Sequence, residues 1–516
     1  MTKNKYVAKT FLLLALAFTM LISACGNGGN NVANSGNDGT ASTEEGGNAS
    51  GALKPVELVM VFPAGGEPKD LQLVSDEINK LTKEKINATV KLIPIGFGAW
   101  AQQKTLMMSG NEQVDLIVSG LGTYSQDVAK GQFLELDGYL DEQGQGVRDA
   151  LDALDPAFLN ATRIDGKIYA VPSIRDLAAD FGITMRKDLV DKYNIDTTKI
   201  KSLDDLDAVF KIIKDNEPGI IPTVKYGISI LDIYVGSFFD TLGEGFGVLP
   251  GHDNGLKIVN MYETPEYADM LNTVRRWNQA GYVAKDAATS TETQYNLVKS
   301  GKAFSFISHM KPGIETQESR TTGKEMVSVH FRPAVTATSN IISIMWSIAR
   351  NSKDPERAMM LLNLMYTDKD FINLLDYGIE GKHYEKVSDN IIDYPQGVDA
   401  TNSGYNLQMG WMFGNQSLSH IWNGDDPELW NKLAEFNKNA VKSKALGFTF
   451  NADTVKTEIA AVTNVQNQYK IALETGTVDP VTKLPEFNKQ LKAAGIDKII
   501  AEKQKQLDAW AAATNK

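Results

Sequence analysis

The feature that most limits how this chain can fold is its lone cysteine and where it stands. Lys3, Lys5 and Lys9 precede an apolar run from Phe11 to Ile22 that ends in small residues before Cys25, the pattern of an export signal. The run falls short of the ~20 apolar residues a membrane span needs, and the following Gly26-Asn27-Gly28-Gly29 cannot continue it. Leu21-Ile22-Ser23-Ala24-Cys25 matches a lipobox, at which diacylglycerol is attached to the thiol and the chain is cut before it. Residues 1–24 are therefore expected to be a signal peptide, with Cys25 the lipidated end of the mature chain. Cys25 is the only cysteine among 516 residues, so an exported protein of this kind has no disulfide to hold it. It must rely on a sizeable apolar core, which a chain this long can bury.

Loss of residues 1–24 removes three lysines and no acid, which moves the formal charge from −12 to −15. A surface this acidic repels phosphate backbones, and no dense basic stripe overrides it, so nucleic acid is not an expected partner. Membrane attachment then rests on lipid and not on a polybasic patch. Residues 25–54 are mostly Gly, Asn, Ser, Thr and Ala, too poor in apolar side chains to offset the entropy of ordering, and read as a flexible tether.

Order begins at Pro55. Val56 to Phe62 is a continuous β-rich apolar run, and Leu71, Val74, Ile78 and Leu81 have helical spacing. Ala88 to Ile95 returns to strand character, Ala99 to Ser109 reads as a helix, and Asp115 to Val118 as another strand. This β-α-β-α-β alternation predicts a mainly parallel sheet with helices on both faces. Further strands are expected at 167–171, 181–185, 226–230, 303–307 and 341–349, with helices at 203–215, 265–280 and 355–366. From Asp426 the chain reads as mostly helical, over 427–442, 452–474 and 484–512. The length suits two domains.

Motifs for catalysis and metal binding are missing. No serine has the Gly-x-Ser-x-Gly spacing of a nucleophile elbow, and no Gly-Lys pair is followed by Ser or Thr as a phosphate loop requires. His252, His309, His330, His383 and His420 are scattered, without the pairing of a zinc site. Asp253-Asn254 before Gly255 reads as a polar turn, since the alternating oxygens and closing Glu of a calcium loop are lacking. No metal and no cofactor are expected. Paired carboxylates of a glycosidase remain open on sequence alone, given how many acids the chain carries.

The order of motifs says more. Phe62 after the first strand, Trp100 in the helix leading to Met107-Met108-Ser109-Gly110, and Val114-Asp115-Leu116-Ile117-Val118-Ser119-Gly120 resemble the opening of a family 1 extracellular solute-binding protein. The resemblance continues through Gly131 to Leu140, Ile164 to Pro172, Met185 to Leu189, Leu203 to Leu206 and Val298 to Phe304, across essentially the whole mature chain. Tyr377 to Tyr384 resembles the lipoprotein branch of that family, which includes the LplA-like lipoproteins and is associated with uptake of oligosaccharide or polysaccharide fragments.

What the resemblance implies is an α/β, two-lobed periplasmic-binding-protein-like fold with a hinge and a helical C-terminal part. Its lobes would be assembled from 55–160 and 339–400 for the first, and from 161–338 and 401–516 for the second. The protein would be a monomer, anchored through Cys25 to the extracytoplasmic face of the membrane. It would enclose an oligosaccharide by lobe closure and deliver it to the permease subunits of an ABC importer, with no catalysis. Some relatives that bind acidic polysaccharide fragments carry an aspartate-rich calcium loop, which is absent from this sequence. A peptide receptor, an envelope polysaccharide-degrading enzyme and a solute-sensing signalling partner remain the alternatives.

Sugar recognition needs flat apolar faces for C–H surfaces and polar groups for hydroxyls, and ligands in such folds bind outside the carboxyl ends of parallel strands. Phe62, Ser119 and Tyr124, and Arg175 with Asp176, stand at such places. Trp100 opens a helix after an irregular glycine-rich approach, and His309 follows Ser308 where relatives often place a cleft residue. Trp346 lies in an apolar strand and reads as core or contact, whereas Trp277 lies on a helical stripe and reads as core. Trp411 and Phe413, in Gly410-Trp411-Met412-Phe413-Gly414, form the favoured stacking platform, with Glu380 and Tyr384 as weaker candidates. For the anchor, Cys25→Ala is expected to abolish incorporation of labelled palmitate and to shift the protein from the membrane to the soluble fraction on cell fractionation.

Overall fold

The computed structural model describes residues 53–516 except 244, 253, 254 and 401. The signal segment, Cys25, the tether up to residue 52 and the Asp253-Asn254 turn lie outside the described residues.

The strand Val56–Ala64 is buried from Leu58 onward on both faces, which explains why its sequence is continuously apolar and not alternating. It pairs in parallel with Ala88–Gly96 on one side and Leu116–Gly120 on the other. Ile344–Ile348 then adds antiparallel to 116–120, and Val171–Pro172 closes the five-stranded sheet. Helix Leu71–Ile86 lays Val74, Ile78, Thr82 and Ile86 on the sheet at i, i+4 spacing and ends at Asn87, which takes the left-handed conformation at φ 47°. Helix Pro355–Thr367 starts at Asp354, whose carboxylate accepts from the Arg357 amide. The buried Arg357 guanidinium donates to the carbonyls of Lys54, Ile86 and Asn87, which ties this late helix to the entry of the first strand.

A second sheet has the order 326–330, 180–186, 303–310, 221–224. Asp180–Arg186 is buried along its whole length and runs antiparallel to both neighbours. Helices Leu206–Asn216 and Pro265–Gln279 pack here through Phe210 and Trp277, whose rings meet edge to face at 5.0 Å. The last three helices, Lys456–Glu474, Pro480–Ala494 and Ile496–Thr514, complete the same core with Val462, Phe487, Ile499 and Leu507.

The chain is thus two-lobed, with several departures from the pattern reading. Both sheets are mixed and not mainly parallel, because 344–348 enters the first sheet after returning from the other lobe. Tyr226–Ile230 is a tight loop held by a single bridge between Tyr226 and Ser229, and the strand lies earlier at Ile221–Val224. The expected helix 484–512 is two helices broken at Gly495, φ 102°. The lobe boundaries also shift. The first core draws on residues between Leu58 and Ile174 and again between Ile344 and Phe413, and the second on Ala179 to Val335 and Ala445 to Leu507. Residues 161–174 and 401–413, assigned from the resemblance to the second lobe, therefore belong with the first, because Val171–Pro172 is the outermost strand of the first sheet. The crossings share a small cluster of their own: Phe158, Ala161, Leu177, Ile341 and Leu446.

Trp346 is fully buried, stacks on Phe413 and donates its indole N–H to the Met412 carbonyl at 2.7 Å. Trp346→Ala is expected to cost about 3–5 kcal/mol by leaving a cavity, read as a lowered denaturant midpoint in equilibrium unfolding.

Candidate functional site

The carboxyl ends of strands 56–64, 88–96 and 116–120 in one lobe, and of 221–224 and 303–310 in the other, lead into loops beside the crossing segments. A cavity of about 540 Å³ opens there, with Ile344 and the 408–416 segment on the first-lobe side and Lys311-Pro312-Gly313 on the second. Arg175 and Asp176, on the first crossing, form its floor together with Trp411, Trp422 and Trp430.

The floor is a charge chain. Arg175 donates to the Asp176 carboxylate at 2.9 Å, to the Asn340 carbonyl at 3.0 Å and to the Ser343 hydroxyl. Lys311 reaches the other Asp176 oxygen at 3.3 Å. Burial works against the Asp176 charge, but Lys311 and Arg175 outweigh it and hold the carboxyl at about 2. Arg320 is likewise paired, with Asp425 at 2.8 Å. Further in, the side chain of Asp376 is fully buried. Its Oδ1 accepts from the Met409 amide at 2.7 Å and its Oδ2 has no hydrogen-bonding partner, and burial raises the carboxyl to about 7. Because the Leu407 amide also donates to the Asp376 carbonyl, this residue pins the segment that carries Gln408 and Trp411. Burial pushes the neighbouring His420 down to about 4, so it is uncharged at neutral pH.

Indole faces and fixed hydrogen-bonding groups converge on one space, a combination suited to polyhydroxyl solutes. Trp422 is braced by Tyr377 at 5.6 Å and Tyr394 at 4.6 Å, and the Trp430 indole is fixed to the Ser419 carbonyl at 2.7 Å. Among the described residues, no three of His, Cys, Asp or Glu are grouped to hold a metal ion.

Of the residues singled out from sequence, Arg175, Asp176 and Trp411 line this cavity. His309 lies within strand Ala303–Met310, opposite Phe181, and not after the strand, its ring 5.5 Å from Phe181 and 6.2 Å from Tyr226. Its surface is accessible, yet the protein mass crowding the ring depresses its pKa. The others are placed elsewhere, and their readings are corrected here. Phe62, Trp346 and Phe413 are one buried ring cluster, Phe62 edge-on and Trp346 stacked against Phe413, with no face left for a solute. Ser119 is buried and accepts from Ser347, and the Tyr124 hydroxyl is spent on the Thr162 carbonyl. Trp100 packs into the first core. Tyr384 is buried against Tyr377, while Glu380 is exposed and paired with Lys386.

Sequence reasoning missed Trp422, Trp430, Gln408, Gln416 and Lys311. The turn Lys311-Pro312-Gly313 directly after the His309 strand was a usable signal. It also missed three exposed apolar residues on loops at strand ends: Phe97, Leu121 and Ile228, at 49%, 41% and 48% exposure. Leu121 takes φ 48° between two positive-φ glycines, a conformation costly for leucine. Gly120 permits it, since a Cβ there would lie 2.5 Å from the carbonyl oxygens of Ile342 and Ser343.

The model for bacterial extracellular solute-binding proteins matches residues 65–370. This chain belongs to that family. Such proteins work outside the cytoplasm. A second model, for a domain of unknown function, matches residues 444–512 of this solute-binding protein. A carbohydrate ABC transporter substrate-binding protein of Streptococcus pneumoniae is 30% identical over 514 residues, 98% of each chain. The crystal structure of an N-glycan transport solute-binding protein from Streptococcus pneumoniae superposes with a TM-score of 0.79 at 28% identity, covering 88% of this chain and 98% of that one. Its complexes with Man1GlcNAc and Man5GlcNAc superpose at 0.73 and 0.71. An alginate-binding protein at 16% identity, TM-score 0.61 and coverage of 88% and 98% shares the fold.

The Asp376 shift makes stability pH-dependent. Its folded value near 7 lies above the ordinary 3.8, so its contribution is complete below about pH 4 and is lost as pH rises to about 7. Asp376→Asn is expected to flatten that loss, so the variant's melting temperature rises relative to wild type between pH 4 and 8, read by thermal unfolding across the range.

Proposed function

We propose that this solute-binding protein is a lipid-anchored, monomeric receptor on the extracytoplasmic face that captures an oligosaccharide between its lobes and hands it to the permease subunits of an ABC importer without altering it. The observation that carries the reading is the interlobe cavity, where Trp411, Trp422 and Trp430 stand beside Arg175, Asp176 and Gln408. The related N-glycan transport protein, whose complexes hold Man1GlcNAc and Man5GlcNAc, spans nearly the whole described chain and supports sugar as the solute class. Exposed Phe97 and Leu121 on one lobe and Ile228 on the other are the apolar surface that closure would cover.

Anchoring follows from the lipobox reading of Cys25, and export from the signal segment before it. A receptor also accounts for a pocket built of paired charges and indoles.

Thermal unfolding with a panel of mono- and oligosaccharides, amino acids and short peptides tests this. An oligosaccharide at about 100 times its Kd stabilises the native state by roughly 2.7 kcal/mol. The expected result is a shift confined to oligosaccharides, with the sugar recovered unchanged and the shift lost in Trp411→Ala. A shift with peptides alone, or release of new reducing ends, would overturn the reading.

A further inference from the structure

The interlobe cavity does not end at its own wall. A second space of about 750 Å³ lies against it, and the two share Lys311, Pro312, Gly313 and Leu429 as a common ridge. Helix Leu429–Asn439 forms one side of the outer space with Leu429, Lys432, Phe436 and Asn439, positions that follow one helical face at i, i+3, i+7 and i+10. The opposite side is the second lobe, where His330 at a strand end is bonded to Asp180. Phe436 sits half-buried in this wall, an aromatic face bordered by hydrogen-bonding groups.

The charges point to the chemistry of the occupant. Lys311 is held by Asp176, Lys432 by Asp426, and His330 by Asp180. In the inner cavity Arg175 and Arg320 are held by Asp176 and Asp425. Arg175 and Lys311 share the one Asp176 carboxylate, but Asp180, Glu315, Asp425, Asp426 and Glu435 also line the two spaces, so acids outnumber lysines and arginines there and disfavour an acidic sugar, whereas the paired side chains still offer hydrogen bonds to hydroxyls.

Resting on the receptor reading above, we propose that the two spaces form one groove for a single uncharged oligosaccharide, its first units on the tryptophans of the inner cavity and its distal or branching units against Phe436 in the outer one. The ridge at Lys311-Pro312-Gly313 separates the two parts, and the outer part sets a preference for longer glycans.

Calorimetric titration of the full-length protein in detergent with Man1GlcNAc and Man5GlcNAc tests this, using wild type, Phe436→Ala and Asn439→Trp. The first variant removes the aromatic face and the second fills the space from an exposed position. Wild type is expected to bind Man5GlcNAc more tightly than Man1GlcNAc. Each variant loses about tenfold for Man5GlcNAc, the scale of one lost aromatic contact, while Man1GlcNAc changes by less than about twofold. Equal wild-type affinities, or variants that weaken both sugars alike, overturn the outer compartment and leave the sugar receptor standing. If neither probe binds wild type, the groove assignment falls; the receptor reading falls with it only when the whole panel above is also silent. Tighter binding of an acidic oligosaccharide than of Man5GlcNAc overturns the uncharged class.

Discussion

Everything else in this molecule hangs on how three chain crossings are tied together between the lobes. Asn437 does most of that tying with one buried amide. Its nitrogen donates to the Arg175 carbonyl at 2.6 Å, and its oxygen accepts from the amides of Leu177 and Ala178 at 2.8 and 3.2 Å. Arg175 in turn holds the second crossing through the Asn340 carbonyl and the Ser343 hydroxyl. Buried backbone groups must find partners, and a crossing strand has left its sheet, so one asparagine and one arginine stand in for the missing ladder. The apolar seam of Phe158, Leu177, Ile341 and Leu446 lies beside them.

The same groups that join the crossings also build the site. Arg175 and Asp176 are at once hinge residues and cavity floor, and Lys311, which closes their charge chain, comes from the opposite lobe. A solute that contacts this chain touches the joint directly, so occupancy and lobe geometry are coupled without a long relay. The inner rings divide into two tiers. Phe62, Trp346 and Phe413 are buried in the first lobe, and Trp411, partly buried against the same core, lines the cavity.

Much of the fold was legible because buried strands and amphipathic helices leave strong periodicities. Val56 to Phe62, 180–186 and 265–279 needed no tertiary context. The 226–230 segment misled because its apolar residues pack from a loop, and 341–349 was over-read because a short helix precedes the strand. The two-lobe plan came from motif order, but the crossing points could not be placed from it, since the strand read at 167–171 is two short ones in different sheets, Lys167–Ile168 and Val171–Pro172. The site was half legible. Arg175, Asp176 and Trp411 follow strand ends or sit in glycine-bounded loops. Phe62, Trp346 and Phe413 carry the same residue types, and only packing distinguishes a ring that supports from a ring that faces outward. Trp422 and Trp430 escaped because Trp422 lies in a two-residue strand, and Trp430 opens a helix whose periodicity does not say which of its residues face a cavity.

The arrangement of the two cores has a consequence for biogenesis. The first core is incomplete until Met412 and Phe413 arrive, and the second until Phe487, Ile499 and Leu507 join Val248 and Tyr262. Neither lobe can finish as an independent unit while the chain is emerging from its N-terminus. Contacts so distant in sequence make assembly slow and leave partly formed sheets open to proteases and to self-association. A truncation in the last helices is therefore a lesion of maturation and abundance.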